Sequence, residues 1–192
     1  MEMMKLSEFV EFIQGINPSR AEKQFGNQEI NYYGQASFDE DYRNHNEATQ
    51  EEKKNDVFDS EVSLNRGNVV ISNSLQRATL VSEKHVGKVL SLNFTKVKFK
   101  NEAIDRRYFL YLFNSHKEVQ RQKERELQGT GPILRLTKQS LEQLVIPIVP
   151  LTEQKRIGLI YIESLKLQTK LSEYAQLLEQ FTGTMLENTL EG

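Results

Sequence analysis

From Ile157 onward, apolar residues recur in a seven-residue cycle to the end of the chain. The first position of the cycle holds Ile157, Ser164, Leu171, Leu178 and Met185; the fourth holds Ile160, Leu167, Tyr174, Phe181 and Asn188. Eight of these ten are apolar or aromatic, which predicts one long helix with a stripe that seeks another helix. At ~1.5 Å per residue, about 38 residues span on the order of 57 Å. A body of ~150 residues has a radius of gyration of only ~15 Å, so the stripe outruns it. Gly158 and Gly183 each weaken the helix by about 1 kcal/mol relative to alanine, which predicts a helix stable only when paired. The chain therefore divides into a body, residues 1–150, and a helix, residues 151–192, with Thr152 as the expected N-cap. The residues expected at the helix–helix contact are Ile157, Ile160, Leu167, Leu171, Tyr174, Leu178, Phe181 and Met185.

Within the body the apolar spacing of residues 6–13 suits one face of a short helix, or a helical turn leading into a strand. Residues 15–19 break it and leave Ser19 and Arg20 exposed. Residues 30–33 read as a short strand, and most of 38–59 as a long polar loop with room for one exposed helical turn, with Asp39, Glu40 and Asp41 at a solvated tip. Residues 67–72 and 78–82 are two strands joined by a short polar connection. Val97 and Phe99 alternate with Lys96, Lys98 and Lys100, a half-exposed strand with a basic outer face. Asp105 is the expected cap of a buried helix through Phe113. Ser115 and Glu118 have capping-box spacing, opening a charged surface helix to about Leu127. A polar loop, 128–132, precedes a short helix capped by Thr137 and a last strand, 145–149, with Pro147 at an edge or bulge. This mixture places the chain in the α+β class: a compact mixed α/β body followed by a long C-terminal helix.

Net charge is only −2, but it is unevenly spread. Residues 1–65 carry a net of −8, residues 66–139 a net of +9 and residues 140–192 a net of −3. A basic centre in an acidic chain suggests a surface facing phosphate. There is no cysteine, hence no disulfide framework and no thiolate nucleophile or zinc ligand. No apolar run approaches membrane-spanning length and the N-terminus lacks a signal-peptide pattern, so the expectation is a soluble cytoplasmic protein. His45, His85 and His116 lie in polar segments without metal-ligand spacing and read as surface histidines. No metal ligand is assigned, and no phosphate-cradling glycine loop or nucleophile elbow is present. An autonomous enzyme is disfavoured.

Several stretches together resemble the specificity subunits of Type I restriction–modification systems. Residues 6–19 are similar to the opening pattern of that family, which ends in a glycine and a Pro-Ser turn. Residues 66–72 resemble its Gly-Asp-hydrophobic strand, with Asn68 where aspartate is usual. Residues 93–94, 104–105 and 108–112 resemble the middle of its target-recognition domain. Residues 141–157 are the most specific match, a hydrophobic-Pro strand followed by the Glu153-Gln154-x-x-Ile157 opening of a conserved spacer helix. The resemblance implies a target-recognition domain at 1–150 and a spacer and dimerisation helix at 151–192, packed as an antiparallel coiled coil. It implies a non-catalytic, sequence-specific reader of double-stranded DNA that places methyltransferase subunits, and through them a restriction subunit, on a bipartite site. It implies no cofactor on this chain; S-adenosylmethionine, ATP and magnesium belong to the partners. A homodimer is the simplest completion of the helix; pairing with a full-length specificity subunit is the alternative. A coiled-coil interaction protein without a nucleic-acid role is the rival from another class.

The candidate DNA contacts lie in polar loops around the basic segment. Ser19, Arg20, Arg77, Lys84 and Lys88 suit phosphate contacts, which position without specifying. Asn73, Gln76, Gln128 and Thr130 suit base edges, since amides pair bidentately with adenine.

Overall fold

Strand β7 (Phe94–Phe99) owes its central place to alternation: Val97 and Phe99 face one way, Phe94 and Lys96 the other. It lies between β2 (Val10–Gln14) and β4 (Val69–Ser72), and β4 pairs in turn with β5 (Arg77–Leu80), giving a four-stranded antiparallel sheet. The computed structural model describes residues 2–25, 30–44, 61–127 and 134–191. Both faces of the sheet are covered. Val10, Phe12, Val69, Ile71, Ala78, Leu80 and Val97 join one core; Val70, Val81 and Phe94 join a second.

The first core is roofed by α3 (Arg106–Ser115), α4 (Lys117–Glu126), α5 (Lys138–Gln143) and the base of α6 (Leu151–Glu191). Asp105 caps α3 as expected, accepting from the amides of Arg107 and Tyr108 at 2.9 and 3.0 Å. Strand β1 (Glu2–Lys5) pairs antiparallel with β8 (Val145–Ile148), and Pro147 is accommodated in this two-stranded ladder. The second core lies under α1 (Pro18–Phe25), α2 (Gln35–Asn44) and the parallel pair β3 (Tyr32–Tyr33) and β6 (Val89–Leu90). Strand β5 is the edge of the main sheet. There Asn114 of α3 accepts from the Ala78 amide and donates to the Ala78 carbonyl, both at 2.8 Å.

Helix α3 runs parallel to the first turns of α6. Gln154 sits against Ala103 and Asp105, Gly158 against Arg107, and Tyr161 against Tyr111. Gln154 is buried, and its amide joins three backbone groups: it donates to the carbonyls of Ala103 and Val149 and accepts from the Asp105 amide. A Cβ on Gly158 would lie 2.6 Å from Arg107 Cβ and 2.7 Å from the Tyr108 nitrogen, so only glycine permits this approach. Beyond Thr169 the helix leaves the body, and residues 171–190 are exposed on all sides.

Four expectations need correction. The loop expected from residue 38 is helical to Asn44, because Phe38 and Tyr42, one turn apart, stack over the second core. Ser115 does not cap α4; it ends α3, and His116 takes the N-cap position with no side-chain bond. Helix α6 starts at Leu151, one residue before Thr152, with the Pro150 carbonyl accepting the first helical bonds. His85 is buried rather than on the surface. His45 lies outside the described residues.

Candidate nucleic-acid interface

The sheet register brings several expected contact residues to one end of the molecule. Gln14 pairs with Thr95, and Ser72 pairs with both Phe94 and Arg77, so the chain leaves β2, enters β7 and turns from β4 to β5 at that same end. After β2, Gly15 passes so close to the turn before β7 that a Cβ would fall on the Ser91 carbonyl. Asn17 then caps α1 through the Arg20 amide at 2.9 Å, with Pro18 in the favoured first helical position. This leaves Ser19 and Arg20 exposed in the first turn.

Asn73 is the hub of this end. Its amide donates to the Asn93 carbonyl, its carbonyl accepts from Leu136, and its Oδ1 accepts from Thr95 Oγ1 at 2.9 Å. It is buried, so the expectation of an exposed base-edge reader is corrected: Asn73 holds three segments together. Gln76 and Arg77 stay at the surface, Gln76 half-buried and Arg77 exposed with a bond to the Tyr42 hydroxyl. Around the hub stand Leu75, Leu92 and Leu134, each 41–49% exposed. Isolated exposed leucines are ordinary; these three lie within two residues of Asn73 or of its backbone partners Asn93 and Leu136. Their signal in the sequence was an apolar residue inside a polar turn. Gln128 and Thr130 lie outside the described residues, in the segment that precedes Leu134.

The structure does not bring Lys84 and Lys88 to this end. They follow the opposite end of β5 and face α2, where Lys84 pairs with Glu40 and Lys88 donates to Ser37 Oγ at 2.8 Å. The hydrogen bond from Lys84 holds the Glu40 carboxyl below its ordinary range. The basic face of β7 is likewise engaged: Lys96 donates to the carbonyls of Glu61 and Ser63, Lys98 pairs with Glu61 and Glu11, and Lys100 donates to the Ser7 carbonyl. The Glu61 hydrogen bond raises Lys98 above its ordinary value. Much of the positive charge in residues 66–139 thus ties the fold together.

Asp41, expected at a solvated tip, is fully buried. It accepts from the Tyr33 hydroxyl at 2.8 Å, the Ser82 amide at 3.2 Å and His85 Nδ1 at 2.9 Å. Burial, with the Asp41 charge adding, pushes the Tyr33 hydroxyl far up. Ser82, His85 and Asp41 contain the residue types of a nucleophile relay but not its geometry. Both Ser82 Oγ and Asp41 Oδ1 approach Nδ1, whereas a relay needs them on opposite ring nitrogens; Nε2 faces Glu40 instead. Among the described residues no group of three or more His, Asp or Glu side chains is placed to hold a metal.

Sequence reasoning missed Lys123. It lies in the charged helix α4, yet it is 1% exposed, donating to the carbonyls of Phe113 at 2.6 Å and Gln76 at 2.9 Å. Burial, with Arg77 nearby, holds its amine down at about 7.

The helix stripe is largely bare. Ile160, Leu167, Leu171, Tyr174, Leu178, Phe181 and Met185 are each more than half exposed, as are Leu177 and Leu186. Ile157 is the exception, half-buried against the first core. Among the described residues no helix is long and apolar enough to cross a membrane.

Residues 1–179 match the family described as Type I restriction modification DNA specificity domain. No curated relative is similar enough in sequence to match. Among solved structures the chain is similar to the HsdS subunit from Thermoanaerobacter tengcongensis, with 19% identity and a TM-score of 0.54 over 91% of this chain and 39% of that one. It is also similar to a chain in a structure of complex assembly and conformational transition of the type I R-M system, with 18% identity and a TM-score of 0.61 over 97% of this chain and 43% of that one. The chain spans about two fifths of the length of these relatives.

Proposed function

Because the chain belongs to the Type I restriction modification DNA specificity domain family, we propose that it reads one half of a bipartite DNA site and directs methyltransferase and restriction subunits to it. Membership makes it a recognition domain rather than a catalyst. The observation that carries the reading is that Arg20, Gln76 and Arg77 follow strand ends that the register brings to one end of the sheet, with exposed leucines, while α6 leaves the body at Thr169, which bonds the Arg43 carbonyl next to the Tyr42 that holds Arg77. Two copies joined through antiparallel α6 helices would be related by a two-fold axis and would read an interrupted palindrome, with helix length setting the distance between half-sites. In this reading the methyl donor, ATP and magnesium act on the partner subunits.

The test combines sedimentation with DNA binding over a salt series. A dimer that binds duplex DNA with affinity falling steeply with salt supports the reading. A chain that stays monomeric at micromolar concentration, alone and with its methyltransferase partner, removes the homodimer. Recovery of α6 bound only to a longer specificity subunit supports the exchange of recognition halves. The internal pairing of Lys84 and Lys98 favours a second reading, a coiled-coil protein without a nucleic-acid role. That reading expects no retention on heparin and no salt-dependent DNA binding.

A further inference from the structure

Gln76 is the one non-glycine residue with positive φ among the described residues, at 55°. An L side chain is disfavoured in this left-handed region, so the surroundings must hold it there. The hold is local on one side: the Gln76 amide donates to the Ser72 carbonyl at 2.8 Å, and the Leu75 amide to Ser72 Oγ at 3.3 Å. On the other side it is long-range. Lys123, forty-seven positions along the chain, donates from Nζ to the Gln76 carbonyl and lies 4.3 Å from the centre of the Phe113 ring.

A lysine is an expensive choice here. Its ammonium is taken out of water, and among the described residues its hydrogen-bond partners are two carbonyls and no carboxylate. A methionine would fill similar space without burying a charge. What the lysine alone provides is a donor that reaches from α4 across the end of α3 to the hairpin tip. With the tip fixed, the partly exposed Gln76 side chain stands between exposed Leu75 and Arg77. A glutamine amide pairs bidentately with adenine, and apolar groups meet the thymine methyl.

We propose that Lys123 is the positioning residue for base reading: it fixes the Gln76 backbone so that the Gln76 amide and Leu75 meet the edge of an A·T pair in register. The proposal rests on the DNA-reading role proposed above. It assigns a role in specificity to a side chain that touches no base.

The test selects bound duplexes from a randomised library with the full chain and sequences them, for wild type, Gln76→Gly, Lys123→Met and Lys123→Gln. Glycine keeps the left-handed turn and removes only the reading side chain. Gln76→Gly should flatten the preference at one base pair per half-site by about tenfold or more, the discrimination of a bidentate amide–adenine contact. Lys123→Met should flatten that same base pair, leaving other positions and affinity for random DNA within about twofold of wild type. Lys123→Gln keeps an N–H donor and should recover part of the preference; it decides the matter if the methionine variant fails to fold. Unchanged preference in a folded Lys123 variant overturns the proposal, as does an equal loss at every position, which marks a merely structural role. Wild type that selects no motif instead removes the DNA-reading role itself, a result distinct from either.

Discussion

The two halves of α6 carry similar apolar content and meet opposite fates. In the near half Gln154, Gly158 and Ile162 are buried against α3 and the first core. In the far half every residue from 171 to 190 is exposed. The division begins within a single turn: Ile160 is 60% exposed and Ile162 is 4% exposed. Two residues correspond to about 200° of helical rotation, so these isoleucines point to opposite sides. One helix thus has two apolar faces, one packed on its own body and one bare. The near half is stabilised by folding; under the pairing proposed above, the far half is stabilised by association.

The sharpest way to break this comparison is Leu171→Asp combined with Leu178→Asp. A two-fold pair would bury four leucines, and at roughly 1.5–3 kcal/mol each the pair loses on the order of 6 kcal/mol or more. Sedimentation should then show monomer only, while thermal unfolding of the body is unchanged. Ile162→Ala tests the other face and should cost the body about 2–5 kcal/mol in urea unfolding without changing association at protein concentrations where it is folded.

Lys123 gives the body a pH signature that helix association does not share. Burial holds it at about 7 against an ordinary 10.5. Between those values the unfolded chain binds more protons, so stability rises with pH across that window, by up to ~1.4 kcal/mol per pH unit. Below about 7 both states are protonated and the cost of burial is fully present. Urea unfolding at pH 7 and pH 9 should show this rise in wild type, and Lys123→Met should abolish it.

The two glycines should respond with opposite signs. Gly158→Ala meets Arg107 and the Tyr108 nitrogen, and should cost about 1–3 kcal/mol of body stability as overpacking, despite the better helix propensity of alanine. Gly183→Ala meets nothing within 4 Å, and should raise the helicity of the unpaired chain by about 1 kcal/mol, read by circular dichroism. A loss of dimer from Gly183→Ala would place a partner backbone against that glycine.

Much of the framework is legible in local pattern. Asp105 caps a helix because a short carboxylate before an apolar run has little else to do, and the alternation in β7 states its own faces. The seven-residue cycle marks out the apolar stripe that α6 leaves bare, but not that Ile157 turns toward the body, because periodicity does not say which surface arrives first. The cap at Ser115 fails because the chain enters α4 one residue later. Helix α2 was hidden by its charges: Asp41 reads as solvent-exposed until Tyr33, Ser82 and His85 surround it, contacts made across eight to forty-four residues. Lys123 was hidden for the same reason. In a helix of Lys, Arg and Glu nothing local distinguishes the one lysine that points inward. At the candidate interface Gln76 and Arg77 were readable as exposed turn residues, but the difference between Gln76 and Asn73 depends on Thr95, Asn93 and Leu136, all distant in sequence.

Asn114 has a consequence for assembly. An open sheet edge is adhesive, since its unpaired amides and carbonyls accept any passing strand. By answering both the donor and the acceptor of Ala78, the Asn114 side chain imitates one residue of a fifth strand and closes that edge to strand exchange. Fusion of two sheets through β5 into a ribbon is thereby discouraged. If two copies hold two readers at a fixed separation, as proposed above, closing this edge leaves their pairing to side chains, whose geometry sets a finite pair rather than an open-ended fibre.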